Sequence, residues 1–220
     1  MKTGFFGFIA VLFLMMASGC GKELSVENYK KDSIAIIPDT TYQPLETPSF
    51  WVYQDSATGL TDTLTTTDSV VSINSKAYTV FHNSSGGQTA DEYFNISTHN
   101  YYSFGSFGNG LDSIELLYLN DTAAPGYNWQ AIAGSINGFP AQVQGQIVDT
   151  GLSVTVGANT FTHVIHSEID IEYNVGSGFQ TPYAIYDYFV AKGVGIIKIE
   201  EDFPTLGFSA TLNLISYKIQ

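Results

Sequence analysis

Arginine is missing from the chain and lysine is scarce: eight Lys stand against 21 Asp and Glu, for a formal net charge of −13. Such a chain repels a phosphate backbone instead of releasing its counterions, which excludes nucleic acid as a partner. Cysteine occurs once, at Cys20, so no disulfide closes within the chain and a cysteine-rich metal site is excluded. Charged residues of both signs make only 13% of the sequence against 44% hydrophobic, a balance that excludes a disordered tail. Long apolar runs are lacking too. Gly4 to Met16 is about 13 residues, short of the roughly 20 that a helix needs to cross a bilayer. What the chain does hold is 21 Gly, 14 Tyr and 15 Phe among many Ser and Thr, a mixture suited to pleated strands and turns.

Lys2, the apolar run and the small residues Ala17, Ser18 and Gly19 have the layout of a secretory signal peptide over residues 1–19. Ala17-Ser18-Gly19-Cys20 resembles the bacterial lipobox, with Ala17 where leucine is usual. That resemblance implies a diacylglycerol thioether on the Cys20 sulfur, cleavage before it, and acylation of the new amino terminus by a chain such as palmitate. Two or more acyl chains hold a protein stably to a leaflet, whereas one binds marginally. The expected partner is therefore the membrane through acylated Cys20, and the expected address is the bacterial envelope, foremost its outer membrane. Residues 20–48 mix Lys, Glu, Asp, Pro and Thr without sustained periodicity and read as a tether, with Ile34 to Ile37 able to dock as an edge strand. As a coil, about 27 such residues span roughly 30 Å.

Residues 49–220 read as one antiparallel β domain, a single curved sheet closed as a barrel or folded as a sandwich. Gln142, Gln144 and Gln146 alternate with Ala141, Val143, Gly145 and Ile147, as a half-buried strand requires. Asp149-Thr150-Gly151 reads as a turn into a second strand, and Gly157-Ala158 as a turn into a third running from Thr160 to Tyr173. Asn74-Ser75 marks another hairpin, and Leu206, Phe208, Ala210, Leu212 and Leu214 stripe one face of the last strand.

Candidate sites are few. His163 and His166 sit at odd spacing on a strand, which sends one to the core and one to water and denies them a shared metal ion. His166, Glu168, Asp170 and Glu172 form an outward ladder at spacing two, read as a solvated face that discourages edge aggregation. No metal and no cofactor is expected. The segment from Gly193 to Lys198 lacks the Gly-Lys-Ser/Thr ending of a phosphate loop and reads as a bulge or strand entry. With the one cysteine assigned to lipid and no G-x-S-x-G elbow, no catalytic residue is assigned. Tyr93, Tyr101, Tyr102, Phe104 and Phe107 crowd a Gly- and Ser-rich stretch and are candidate ligand-binding aromatics, able to stack on sugars or bury an apolar ligand.

Asp precedes Ser or Thr eight times among twelve Asp. Seven of these resemble the O-glycosylation sequon of the Bacteroidetes periplasm, which implies sugars on Ser33, Thr40, Ser56, Thr63, Ser69, Ser113 and Thr122. Turn preference of both residue types is the plainer explanation.

Three groups of residues resemble a large group of Bacteroidetes lipoproteins. They are Tyr42-Gln43-Pro44-Leu45 leading to Ser49-Phe50-Trp51-Val52-Tyr53, Leu119-Asn120-Asp121 leading to Gly126-Tyr127-Asn128-Trp129, and the pair Thr160–His166 with Tyr188–Lys198, the latter holding Ala191-Lys192-Gly193-Val194-Gly195-Ile196-Ile197-Lys198. The resemblance implies a lipid-tethered β domain and supplies no catalytic residue. The expected role is a non-enzymatic envelope lipoprotein that binds or scaffolds a glycan or an envelope protein. Two rival expectations are a carrier of lipid or another hydrophobic ligand, which needs an apolar cavity, and a hydrolase of envelope glycans, which needs two facing carboxylates.

Overall fold

The computed structural model describes residues 41–107, 112–179 and 182–220. Twelve antiparallel strands close into one barrel: β1 (Phe50–Asp55), β2 (Thr61–Ile73), β3 (Lys76–Ser85), β4 (Gln88–Ser97), β5 (Asn100–Phe107), β6 (Asp112–Asn120), β7 (Asn128–Ile136), β8 (Phe139–Val156), β9 (Asn159–Tyr173), β10 (Ala184–Ala191), β11 (Gly195–Phe203) and β12 (Phe208–Lys218). Each strand pairs with its neighbours in sequence, and β1 closes the ring on β12 through Trp51 opposite Tyr217. Closure removes the unpaired edges that a sheet of this size would otherwise expose. The expected all-β fold is therefore present, as a closed meander.

Alternation sends one face of every strand inward. Trp51, Phe81, Phe94 and Tyr118 are almost wholly buried and meet in sequence across the interior, with ring centroids 5.8 Å apart for Trp51–Phe81, 4.7 Å for Phe81–Phe94 and 6.5 Å for Phe94–Tyr118. Ile147, Ile169, Ile171, Ile197 and Leu214 fill the space around them. The centre of the barrel is thus packed with side chains, as in small barrels generally.

Three local expectations are corrected. Asp149-Thr150-Gly151 does not reverse the chain: β8 runs through it, the register to β9 shifting at Ile147/Asp149 and Asp149/Leu152, and Gly151 at φ +69° absorbs the extra residues as a bulge. A second irregularity opposite it turns His163 to φ +55°, so that Val164 and Ile165 are both buried while His163 is exposed and His166 also points outward. The bulge thus overturns the division of the two histidines between core and water. Leu206, expected in the final stripe, is 58% exposed in the turn before β12.

Residues 41–48, part of the segment read as a tether, are packed against the barrel. Gln43 is buried, Gly193 N–H donates to Thr41 C=O at 2.7 Å, and Tyr42 N–H donates to the Tyr101 hydroxyl at 3.2 Å. The ordered body therefore reaches back at least to Thr41, because these backbone groups find partners there. Residues 1–40, including the leader, Cys20 and the Ile34–Ile37 patch, lie outside the described residues.

Candidate functional site

The two ends of the barrel differ. One end carries the β2–β3, β4–β5, β8–β9 and β10–β11 turns, and the packed segment 41–49 closes it. Trp51 Nε1 donates to Val194 C=O at 2.6 Å, the Tyr118 hydroxyl donates to Gln43 Oε1 at 3.4 Å, and the Tyr101 hydroxyl donates to Asp121 at 2.8 Å. A β-carbon on Gly195, held at φ +103°, would come within 3.3 Å of Gln43 Oε1 and 3.4 Å of Trp51 Nε1. The glycines of the β10–β11 turn are thus what let the entering chain seat there, and the bulge-like reading of Gly193 to Lys198 agrees with this turn.

The other end carries the β1–β2, β3–β4 and β11–β12 turns and gathers acids on the inner face. Asp55, Asp62, Glu92 and Glu201 come from four strands and are each half-buried. Burial pushes the Glu201 carboxyl up to about 7, and the charges of Asp55 and Asp62 push it the same way. Burial also raises Glu92, with Asp62 adding to it, while the Asn83 amide, donating to Glu92 Oε1 at 2.6 Å, opposes the shift. Asn83 is itself only 8% exposed, and its Oδ1 is buried without a hydrogen-bond partner. The hydroxyls of Tyr53 and Tyr188 feel the same acids and are held well above the usual phenol range, chiefly by burial.

Aromatic rings line the neighbouring wall of this end. Tyr173–Tyr183, Tyr183–Phe203, Tyr186–Phe203 and Phe203–Phe208 follow one another at centroid distances of 5.7, 6.1, 6.1 and 6.1 Å. A shallow depression of about 390 Å³ near this end lies on the outer face of the barrel, between Ser56, Asp187, Glu200, Asp202, Ser209 and Thr211.

The aromatics expected to form one site are divided by the alternation of β4 and β5. Tyr101 points inward at the closed end, its hydroxyl raised to about 12 chiefly by burial. Tyr93 and Phe104 pair on the outer face at 6.1 Å, and Lys76 sits 3.7 Å over the Tyr102 ring on that same face. One pocket lined by Tyr93, Tyr101, Tyr102 and Phe104 is not formed, and the side chain of Phe107 lies outside the described residues. His166 stacks on Phe189 at 4.3 Å with Nε2 2.6 Å from Asp187, and Asp170 is raised by burial and by Glu168, Glu172 and Asp187. Among the described residues no three His, Cys, Asp or Glu stand together so as to hold a metal ion. Of the residues in the glycosylation resemblance, Ser56, Ser69 and Thr122 are exposed, Thr63 and Ser113 are half-buried, and Ser33 and Thr40 lie outside the described residues. Sequence reasoning missed the inner acids. Their signal is faint, an acid among hydrophobics on the inward phase of each strand, as in Ile199-Glu200-Glu201-Asp202-Phe203.

No protein-family model matches the chain, and no curated protein matches it. Among solved structures, a Bacteroides fragilis protein described as exported and as having a YmcC-like fold is similar at a TM-score of 0.50 and 11% identity, covering 81% of this chain and 99% of that one. The likeness is one of fold. A Parabacteroides distasonis protein described as a lipoprotein matches at a TM-score of 0.49 with the same identity and coverage.

Proposed function

We propose that the chain is an envelope lipoprotein, held at the outer membrane through acylated Cys20, whose barrel is a non-enzymatic binding or scaffolding module. One observation supports this reading above the rest: the chain enters at the plugged end, so an anchor acts there and not at the end that bears the inner acids and rings. The ring-packed centre occupies the volume that an apolar carrier cavity needs, which weighs against the carrier. A glycan hydrolase is favoured by a single feature, the Glu201 carboxyl pushed up to about 7 by burial and by the charges of Asp55 and Asp62, the kind of perturbed acid that serves proton transfer. Turnover of aryl glycosides that disappears in Glu201→Gln would move the assignment to that class.

Fractionation of a Cys20→Ala variant tests the anchor, with the intact mass of the native protein alongside. The variant is expected in the soluble fraction, and the native mass is expected to exceed the polypeptide from Cys20 onward by the lipid. A further excess in hexose steps supports sugars on the Asp-Ser/Thr sites. Membrane retention of the variant overturns the anchored reading.

A further inference from the structure

One stretch of the ring lacks a backbone partner on one side. Among the described residues β6 and β7 share a single ladder pair, Ile114 opposite Gly134, and from there toward the closed end the two strands part. Tyr118 and Leu119, consecutive on β6, are 1% and 0% exposed, so both faces of β6 are covered, and the Ser167 hydroxyl from β9 holds the Tyr118 C=O. Gln130, Ala131 and Ile132, consecutive on β7, are all exposed, Ile132 by 69%. β6 thus turns into the interior while β7 stays on the surface, paired there with β8 alone. Alternation decides which backbone groups this leaves. Ile147 N–H donates to Tyr127 C=O, so Tyr127, Trp129 and Ala131 direct their backbone groups to β8, and Asn128, Gln130 and Ile132 direct theirs to the seam. Such an edge is a template for another extended segment. The inner layer is thin at the same place: Ala131 shares its face with Val143 across the ladder, yet Val143 is buried and Ala131 is exposed.

The chain enters the barrel beside this edge. Tyr42 N–H donates to the Tyr101 hydroxyl, which donates to Asp121, the first residue after β6 and the start of the turn into β7. The residues before Thr41 lie outside the described ones and hold one β-branched run, Ile34-Ala35-Ile36-Ile37, followed by Pro38. Ile37 stands four residues before Thr41, a reach of up to about 14 Å. A chain running from Ile34 to Thr41 approaches the closed end, whereas β7 leaves it, so the two directions are antiparallel. We propose that Ile34–Ile37 pairs with the edge of β7 between Asn128 and Ile132, one face of the run covering Ala131 and the other lying outward beside Ile132. Pro38 has no N–H to give and ends the pairing. The tether proper is then residues 20–33, and the edge is closed to foreign strands. A second copy of the chain is a poorer occupant, since it brings a further net charge of −13 to the same surface.

Disulfide trapping in the full-length Cys20→Ala protein, which holds no other thiol, tests the pairing apart from the anchor. Gln130→Cys is combined in turn with Ser33→Cys, Ile34→Cys, Ala35→Cys, Ile36→Cys and Ile37→Cys under mild oxidation. A bond needs Cα atoms within about 7 Å and β-carbons on the same face. Trapping within one chain is therefore expected only at positions of one parity. No trapping at any of the five positions, equal trapping at all of them, or bonds only between two chains overturns the proposal. Deuterium exchange of the unsubstituted protein gives a second measurement. Of two adjacent residues one must direct its N–H to β7, so the double variant Ala35→Pro/Ile36→Pro removes the pairing whatever its register. Exchange at Gln130 and Ile132 is expected to be about tenfold or more faster in that variant, with β8 and β9 unchanged. Equal exchange at Gln130 and Ile132 in the two proteins overturns the proposal.

Discussion

At the scale of single residues, Glu201 ties the chemistry of the acid-bearing end to stability. Its carboxyl is raised from the usual 4.5 to about 7, first by burial and then by Asp55 and Asp62. A raised carboxyl binds a proton more tightly folded than unfolded. Between about pH 4.5 and pH 7 the folded chain therefore holds more protons, and stability falls as pH rises through that window. Glu92 and Asp170 are raised as well and act in the same direction. The melting temperature is thus expected to be higher at pH 5 than at pH 8. Glu201→Gln should raise it at pH 8 by an amount equivalent to roughly 1–3 kcal/mol and flatten its dependence on pH. A variant with an unchanged pH slope would show that Glu201 is solvated and ordinary. None of this was legible in the sequence, where 21 acids look alike and only the phase of each strand in the closed sheet decides which of them fall on the inner face.

At the scale of elements, the seam between β6 and β7 is where the ring is thinnest. The two strands share one ladder pair, Ile114 opposite Gly134, and side chains replace the missing backbone bonds. Trp129 Nε1 donates to Leu117 C=O at 3.1 Å, and the Ser167 hydroxyl, wholly buried on β9, donates to Tyr118 C=O at 2.6 Å. Two glycines make the close approach possible. A β-carbon on Gly134, at φ +129°, would stand 2.0 Å from Ser113 C=O, and one on Gly145 would stand 2.1 Å from the Trp129 ring. Gly134→Ala is expected to cost about 3 kcal/mol or more, since backbone cannot yield as a flexible side chain can. Ser167→Ala should cost about 1–3 kcal/mol by leaving a buried carbonyl unpaired. Urea midpoints check both, and a Gly134→Ala midpoint equal to that of the native protein would mean that the seam opens freely. Period-two alternation made most strands legible, including the Gln142–Gln146 face, because inward and outward positions differ in polarity. It could not distinguish the Asp149–Gly151 bulge from a turn, since both use a glycine at positive φ and differ only in whether the next strand keeps its partner. The glutamine and histidine positions followed from the pattern only up to the nearest bulge.

At the scale of the whole molecule, the three groups of residues that resemble lipoproteins are brought largely to one end. Gln43 and Trp51 meet Val194 and Gly195, while Tyr42 meets Tyr101, which in turn holds Asp121. They form the seat where the chain enters the barrel, which the sequence could show as pattern but not as contact, because Tyr42 and Tyr101 lie 59 residues apart and Trp51 and Val194 lie 143 apart. If Cys20 is the anchor, its pull acts on that seat. The β8–β9 turn at the same end then lies nearer the bilayer, and the β1–β2 turn farther from it. Cys20 being the chain's sole cysteine, a second one can carry a single probe. Ala158→Cys and Ala57→Cys place that probe at the near and far ends respectively, both on exposed turns. In lipid vesicles, a fluorophore at position 158 is expected to be quenched by brominated lipid headgroups clearly more than one at 57. Equal quenching would mean that the barrel tumbles freely on its tether, and stronger quenching at 57 would mean that the acidic end faces the membrane.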